Sequence, residues 1–384
     1  MAAAGDHPAW PSPNVAANSG PDRISPLVLL DHHHPMRIAI VGMSQHARPQ
    51  DLRLTRRIDG KPRVVVTRRL LPETQRRMAE LFDVTLNADD RPMSRQALRD
   101  AVAQAHVLVP TVTDAIDADL IAAAGPGLGL IANFGAGIEH IDLASARARK
   151  IIVTNTPGVF TDDTADMTMA LIISVPRRLA DGERVIREQT WEGWSPSSLL
   201  GHRLGGKMLG IIGMGRIGQA VALRARAFGM AVVYHNRHRL PPAAEAALGA
   251  RYEADLDTLV RTADILSLHC PHTSETHHLI NARRIAMMKR HAYVVNTARG
   301  ELIEEAALIA ALEAGAIGGA GLDVFAHEPQ VDPRLRQLPN VVLLPHMGSA
   351  TFEGRLASGD KVIANIRFWA DGHRPPDQVI EGWA

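Results

Sequence analysis

From Arg63 onward, short apolar runs rich in β-branched residues alternate with segments of helical periodicity. The first five of these runs lie at 63–69, 82–87, 106–110, 128–134 and 151–155. Helical patterns separate several of them, at about 94–104, 117–124 and 142–149. Because parallel strands need a long crossover, usually a helix, this alternation predicts an α/β fold built on a parallel sheet.

A second set of runs follows a helix predicted over 163–179, which opens with Asp and Thr residues suited to capping. Its six members lie at 207–213, 231–235, 264–269, 292–298, 320–325 and 340–345. Six strands with helices between them make one complete doubly wound domain. A final helical pattern, at about 349–368, follows the second set and can return to the first lobe. We therefore predict two doubly wound parallel-sheet domains, the first discontinuous and completed by the C-terminal helix.

The first sixty residues differ from this pattern. They are rich in Pro, Ala, Asn and Gly, contain the tract His32-His33-His34 and show no regular period. We predict a disordered extension over residues 1–60, or a stretch added by a start codon upstream of the real domain, that contributes no structure to the body. Three adjacent histidines can bind metal, but in a flexible tail they more often have no such role. Met1 to Trp10 lacks the basic and apolar regions of a secretory signal.

Composition limits the partners of this chain. Its 384 residues carry 42 Lys and Arg against 41 Asp and Glu, so no overall charge favours nucleic acid or a membrane surface. No apolar stretch approaches the ~18–20 residues of a membrane span. The single cysteine, Cys270, cannot form an intramolecular disulfide. We predict a soluble, cytoplasmic protein whose partners are small molecules.

Residues 213–218 fit the pattern G-x-G-x-x-G, directly after one apolar run and directly before a helical pattern. In that context the glycines permit a tight turn, close approach of the backbone to a pyrophosphate, and close packing of helix on strand. Chance glycine triplets arise in a chain with 31 glycines, but the flanking strand and helix favour a dinucleotide site. The predicted cofactor contacts here are Gly213, Gly215, Arg216, Ile217 and Gly218.

The residue that normally accepts from the ribose 2′-OH lies about twenty positions further on, and it is acidic in NAD sites. Asn236 occupies that place here, followed by Arg237, His238 and Arg239. An Asn does not repel a 2′-phosphate, and an Arg can pair with it bidentately. We predict preference for NADPH, with NAD as a possible second cofactor. The alternative is that both arginines are solvated loop charges.

Three polar residues stand just after runs of the second set: Arg299, Glu328 and His346. The carboxyl ends of parallel strands form the ligand-binding edge of an α/β sheet. Hydride transfer to a 2-keto acid needs a cation for the substrate, a proton donor at the carbonyl oxygen and a carboxylate that keeps the donor charged. These three side chains supply those groups, so they are the predicted catalytic residues.

Five segments together resemble the D-isomer-specific 2-hydroxyacid dehydrogenases. They are 155–172, 206–220, 295–300, 320–329 and 343–351. The likeness runs from about Arg63 to Val379. Within the family, segments 191–196 and 235–241 are most similar to glyoxylate/hydroxypyruvate reductases, also called glycerate dehydrogenases.

The resemblance implies a role for individual residues. Arg299 and His346 would bind substrate, with His346 as the acid/base and Glu328 as its partner. Ala136 and Gly137 would hold the substrate carboxylate with backbone N–H groups, although without the family an ordinary turn is the simpler interpretation. Further cofactor contacts would come from Asn236, Arg237, Cys270, Pro271, Thr297, Ala298, Asp323 and Gly348. Glu139 stands where the family commonly has Asp.

The implied activity is reduction of glyoxylate and hydroxypyruvate to glycolate and D-glycerate with NADPH. Alternatives are a D-lactate, 3-phosphoglycerate or formate dehydrogenase and, from another class, a nucleotide-sensing corepressor. The implied limits are a substrate-binding domain over 61–155, a Rossmann-type NAD(P)-binding domain over 156–345 and a C-terminal return over 346–384. A homodimer is expected, in which Trp191 or Trp194 reaches the partner subunit; the alternative for both is local packing.

Overall fold

The computed structural model of the chain describes residues 58–379. The predictions for residues 1–57, including the histidine tract, therefore lie outside the described residues. Of the last three residues of the predicted extension, Ile58 contacts the body: its amide donates to the Ala370 carbonyl at 3.1 Å.

The first sheet contains five parallel strands in the order β2-β1-β3-β4-β5. Its elements are β1 Arg63–Val66, α1 Pro72–Leu81, β2 Asp83–Thr85, α2 Arg95–Gln104, β3 Val107–Val109, α3 Ala118–Ala122, β4 Leu130–Ala132, α4 Leu143–Ala148 and β5 Ile152–Thr154. Both faces of its central strands are buried, which is why β3 and β4 are uninterrupted apolar runs. Ser94, Asp117 and Asp142 cap α2, α3 and α4 with their side chains.

The second sheet contains seven parallel strands in the order β12-β11-β10-β9-β6-β7-β8. Two helices precede it, α5 Thr161–Arg177 and α6 Leu179–Arg187. Its elements are β6 Met208–Ile212, α7 Arg216–Ala227, β7 Ala231–His235, α8 Pro242–Leu248, β8 Ala250–Tyr252, α9 Leu256–Thr262, β9 Ile265–Leu268, α10 Ala282–Ile285, β10 Tyr293–Asn296, α11 Glu305–Glu313, β11 Gly319–Leu322 and β12 Val341–Leu343. Strand β6 lies between β7 and β9, so the strand order reverses there.

The last helix, α12 Phe352–Ala370, packs on the first sheet. Its buried residues Ile363, Ile366 and Trp369 share one apolar core with Val64 and Leu130. A β-carbon on Gly129 would lie 2.5 Å from the Trp369 ring, so this glycine lets the indole approach β4. The predicted fold class is confirmed: two doubly wound parallel sheets, the first completed from the C-terminus.

Two details of the elements were predicted wrongly. The second sheet has a seventh strand, β8, which is a three-residue edge strand paired only with β7. A run this short, with Arg251 exposed at its centre, carries no apolar signal. Helix α5 also begins earlier than predicted, so Asp162 and Asp163 lie in its first turn and complement the helix dipole instead of capping it.

Between residues 58 and 379, the helices are all too short or too polar to cross a membrane. The same part of the chain contains no cluster of three or more His, Cys, Asp or Glu residues suited to a metal ion. The candidate site lies at the carboxyl edge of the second sheet, where parallel α/β sheets bind their ligands.

Candidate active site

The glycine-rich loop connects β6 to α7, at the point where the strand order of the second sheet reverses. Gly213 has φ +96°, and a β-carbon there would lie 2.5 Å from the amide nitrogen of Cys270. A β-carbon on Gly218 would lie 2.2 Å from the Gly213 carbonyl oxygen. The β-carbon position of Gly215, in contrast, has no atom within 4 Å. The loop is thus closed toward the protein and open at its middle glycine, which fits a pyrophosphate at the N-terminus of α7.

The loop after β7 lies beside the glycine-rich loop, since the amide of Gly213 donates to the His235 carbonyl at 3.0 Å. Asn236 Nδ2 donates to the His238 carbonyl at 2.9 Å, within the loop. Arg237 is exposed. Arg239, which is also exposed, pairs with Glu245 of α8 through both carboxylate oxygens, at 2.9 and 2.8 Å. This ion pair ties the loop to α8.

Cys270 and Pro271 follow β9, the strand next to β6. Burial raises the pKa of the Cys270 thiol to about 11, so it stays protonated near neutral pH. A protonated thiol is a poor nucleophile. Cys270 thus packs against the glycine-rich loop without supplying a reactive group.

His346 and Glu328 form a hydrogen-bonded pair at the carboxyl ends of β11 and β12. The His346 Nδ1 atom lies 2.7 Å from Glu328 Oε2, and the other carboxylate oxygen accepts from the Phe325 amide at 3.0 Å. The backbone of His346 has φ +54°, and its amide donates to the Asp323 carbonyl at 2.8 Å. The pair leaves His346 Nε2 as the ring nitrogen that can serve a ligand.

The two carboxylates of this region have opposite pKa shifts. Burial alone would raise the pKa of Glu328, but its hydrogen bond to His346 and the nearby charges of His346 and Arg299 lower it below its ordinary value. Burial raises the pKa of Asp323, although its carboxylate accepts from the amides of Met347 and Gly348, both at 2.7 Å. Glu328 therefore remains an anion beside the imidazole, and Asp323 anchors the segment that carries it.

Arg299 follows β10, and its side chain reaches the first lobe. Its Nη1 donates to the Ala298 carbonyl at 2.7 Å, and its Nη2 donates to Glu139 Oε2 at 3.2 Å. A β-carbon on Gly137 would lie only 1.9 Å from Arg299 Nη2. The absence of a side chain at Gly137 therefore allows the guanidinium to lie directly against the glycine loop of the first lobe.

The loop 134–137 is held from its carbonyl side by two asparagines. Asn155 Nδ2 donates to the Ala136 carbonyl at 2.7 Å, and Asn133 Nδ2 donates to the Gly137 carbonyl at 2.8 Å. On the other lobe, Thr297 is joined to Thr168 of α5 by a hydroxyl hydrogen bond of 2.8 Å, and the Ala298 amide donates to Asn296 at 3.0 Å. Residues from both lobes thus converge on Arg299.

A family model for the NAD binding domain of D-isomer specific 2-hydroxyacid dehydrogenases matches residues 169–348. The chain is also 44% identical over 324 residues to a glyoxylate reductase of Thermococcus litoralis. The aligned region covers 83% of this chain and 97% of that relative. The chain belongs to the D-isomer-specific 2-hydroxyacid dehydrogenases. The family predicted from the sequence is therefore confirmed, and the protein is an enzyme that uses a nicotinamide dinucleotide.

Solved structures agree with this assignment. A D-isomer specific 2-hydroxyacid dehydrogenase from Polaromonas superposes on this dehydrogenase with a TM-score of 0.79 at 40% identity, covering 84% of this chain and all of the other. An NADPH-dependent glyoxylate/hydroxypyruvate reductase from Sinorhizobium meliloti, solved with NADP and malonate, superposes with a TM-score of 0.74 at 33% identity. This superposition covers 84% of this chain and 98% of the other. Both likenesses extend over the two lobes of the dehydrogenase.

Sequence reasoning missed several residues that shape the site of this dehydrogenase. Glu139 was noted only as a departure from the family, yet its carboxylate pairs with Arg299 across the lobes. Burial acts to raise the pKa of Glu139, but the Arg299 charge, hydrogen bonds to the carboxylate and the nearby His140 together lower that pKa below its ordinary value. Asn133 and Asn155, which lie at or near the ends of the predicted strands, were assigned no role in the site. A polar residue at the carboxyl end of each run was the signal available.

Proposed function

We propose that this dehydrogenase reduces glyoxylate and hydroxypyruvate, giving glycolate and D-glycerate. At the carboxyl edge of the second sheet, the His346–Glu328 pair lies in the same region as Arg299, which packs against Gly137 of the first lobe, and this arrangement carries the proposal. Relatives named as glyoxylate reductases over nearly their whole length support the substrate class. A bound nicotinamide supplies the hydride for the keto carbon.

The protein residues have distinct proposed tasks. Arg299 binds the substrate as a planar cation, and the amides of Ala136 and Gly137 hold its carboxylate. His346 gives its Nε2 proton to the carbonyl oxygen as the alkoxide forms, and Glu328 stabilises the imidazolium and fixes its ring. Asp323 holds the backbone at Met347 and Gly348 and contacts the cofactor together with Thr297 and Ala298. Cys270 and Pro271 lie beside the adenine, and Gly213 to Gly218 hold the pyrophosphate.

We further propose that NADPH is preferred over NADH. Asn236 carries no charge to repel a 2′-phosphate, and Arg237 is exposed beside the glycine-rich loop. A charge-assisted hydrogen bond of this kind contributes about 1.5–3 kcal/mol, which is roughly a ten- to hundred-fold ratio in kcat/KM. The Sinorhizobium relative described as NADPH-dependent supports this direction.

The experiment is a screen of NADPH and NADH oxidation against six 2-keto acids, including glyoxylate, hydroxypyruvate and pyruvate. We expect glyoxylate and hydroxypyruvate to give the highest kcat/KM, with NADPH at least tenfold better than NADH. A higher kcat/KM with pyruvate would indicate the D-lactate alternative, and the absence of turnover with both glyoxylate and hydroxypyruvate would contradict the proposed substrates.

Two variants control the cofactor arm of the screen. Asn236→Asp should shift preference toward NADH, because a carboxylate repels the 2′-phosphate and accepts from a ribose hydroxyl. Arg237→Ala should lower kcat/KM for NADPH and leave that for NADH unchanged. A wild-type enzyme that is at least as efficient with NADH, and is insensitive to both changes, would contradict the preference.

We propose that the enzyme is a cytoplasmic homodimer. The segment from α6 to β6 carries large exposed apolar side chains, with Ile186 and Trp191 each 59% exposed, Leu200 66% and Trp194 82%. Several large apolar side chains exposed along one segment favour a protein–protein interface there. Light scattering should give twice the chain mass, and Trp194→Ser should shift the enzyme toward monomer. A monomeric wild type would contradict the proposal.

A further inference from the structure

The loop 236–240 is tied to α8 by three side chains, Tyr234, Arg239 and Glu245, which we call the loop clamp. Glu245 is 9% exposed and lies at the centre. Its Oε1 accepts from the Tyr234 hydroxyl at 2.7 Å and from Arg239 Nε at 2.9 Å, while its Oε2 accepts from Arg239 Nη2 at 2.8 Å. The carboxylate therefore engages the guanidinium through two parallel hydrogen bonds, the strongest arrangement available to this pair.

Two further contacts hold the rest of the loop. The Leu240 amide donates to the Tyr234 hydroxyl at 2.9 Å, and the Tyr252 hydroxyl donates to the Asn236 carbonyl at 3.2 Å. The Tyr252 ring also lies 5.6 Å from the Arg239 guanidinium, within cation–π range. The loop is thus fastened at Asn236, at 239 and at 240, and its tip carries Arg237.

The charge states of the clamp are stable over the pH range of an assay. The hydrogen bonds from Arg239 and Tyr234 lower the pKa of Glu245 to about 2. Burial, followed by the hydrogen bond to Glu245, raises the pKa of Tyr234 to about 12. The carboxylate therefore stays ionised and the phenol stays protonated between these limits.

We infer that Glu245 is a positioning residue for cofactor selection: it holds Arg239 in the clamp and thereby presents Arg237 to the 2′-phosphate of the dinucleotide. This inference rests on the NADPH preference proposed above. The competing possibility is that Arg239 binds the phosphate itself. In that case the phosphate would be held by the Nη1 group of Arg239, since Glu245 takes only its Nε and Nη2.

Glu245→Gln tests the clamp, since it removes the charge and keeps the size of the side chain, and Arg237→Ala separates the two possible phosphate ligands. The clamp predicts that kcat/KM for NADPH falls about tenfold, mainly through KM, because Arg237 loses its fixed position. For NADH, kcat/KM should stay within about twofold. If Arg239 were the phosphate ligand, Arg237→Ala would leave kcat/KM for NADPH unchanged, whereas the clamp predicts a loss at least as large as that of Glu245→Gln.

Further variants make the test independent of how well Glu245→Gln folds. Arg239→Ala should lower kcat/KM for NADPH as much as Glu245→Gln does. The double variant, with Glu245→Gln and Arg239→Ala together, should lose no more than either single variant, since the two side chains act as one unit. Tyr252→Phe should lower NADPH efficiency about threefold with NADH unchanged. Arg226→Gln is the matched control, because Arg226 donates to the Ala247 carbonyl at the other end of α8, and it should change neither cofactor.

The outcomes distinguish this inference from the proposal on which it rests. A wild type that prefers NADPH, with Glu245→Gln and Tyr252→Phe both leaving the NADPH/NADH ratio unchanged, would overturn the clamp and leave the preference standing. A wild type without NADPH preference would overturn both. A selective loss of NADPH efficiency in Glu245→Gln, with the Arg226→Gln ratio equal to wild type, supports the clamp.

Discussion

Replacing His346 with Asn is expected to lower kcat for glyoxylate by about 10²–10⁴-fold, the range typical of a lost general acid. His346 Nδ1 is held by Glu328 at 2.7 Å, so the ring presents Nε2 as its proton-donating atom. An Asn amide at this position has no proton to give up near neutral pH. The reduction would then depend on water as the acid.

Asn is the appropriate replacement because of the backbone at this position. His346 has φ +54°, in the left-handed region, which Asn tolerates better than most side chains. The amide hydrogen bond from residue 346 to the Asp323 carbonyl does not depend on the side chain, so the loop should be preserved. The loss of activity should therefore arise from chemistry and not from unfolding.

Steady-state kinetics with glyoxylate, together with circular dichroism and dinucleotide affinity, checks this expectation. His373→Asn is the matched control, since His373 is exposed beyond the end of α12, and it should retain wild-type kcat. If the His346→Asn enzyme folds normally and keeps more than half of the wild-type rate, His346 is not the proton donor.

Arg299→Lys is expected to lower kcat/KM for glyoxylate by about 10²-fold or more, with a clear rise in KM. An ammonium is a compact point charge and cannot reproduce the planar fork that pairs bidentately with a carboxylate. Arg299 also uses its two terminal nitrogens at once, on the Ala298 carbonyl and on Glu139. A lysine cannot make both contacts and still face a substrate, so ground-state binding and rate should both decline.

A second Arg→Lys change shows whether the effect is specific. Arg283 pairs with Asp257 on the surface of the second lobe, at 2.6 Å, and Arg283→Lys should leave the kinetics unchanged. KM for NADPH in Arg299→Lys should stay close to wild type, because the guanidinium lies against the loop 134–137 of the first lobe and not against the glycine-rich loop 213–218. Kinetic parameters for glyoxylate equal to those of wild type would remove Arg299 from the substrate site.

Much of the fold follows from local patterns in the sequence. Eleven of the strands coincide with apolar runs at the predicted places, and the central strands are apolar along their length because both of their faces are covered. Strand β8 was not predicted, because its three residues are held by backbone hydrogen bonds to β7 and show no apolar pattern. The glycine-rich loop was also predictable, since its glycines, the preceding strand and the following helix are contiguous in the chain.

The candidate site depends both on local sequence patterns and on tertiary packing. Arg299, Glu328 and His346 each follow a run of the same sheet, so parallel pairing alone places them at one edge. Some partners of these residues lie outside the second sheet and cannot be placed by this rule. Glu139 lies 160 positions from Arg299 and on the other lobe, and no periodicity in the chain connects them.

The family, the two parallel sheets, the dinucleotide loop and the three residues at the carboxyl edge could all be predicted from the sequence, because they depend on contiguous patterns and on the rules of parallel pairing. The partner of each charged side chain could not be predicted in this way. Nothing in the sequence connects Arg239 with Glu245, yet packing of the loop on α8 brings the two together in a bidentate ion pair. Ion pairs and buried hydrogen bonds are set by distance in space, and distance in space follows from packing rather than from local sequence.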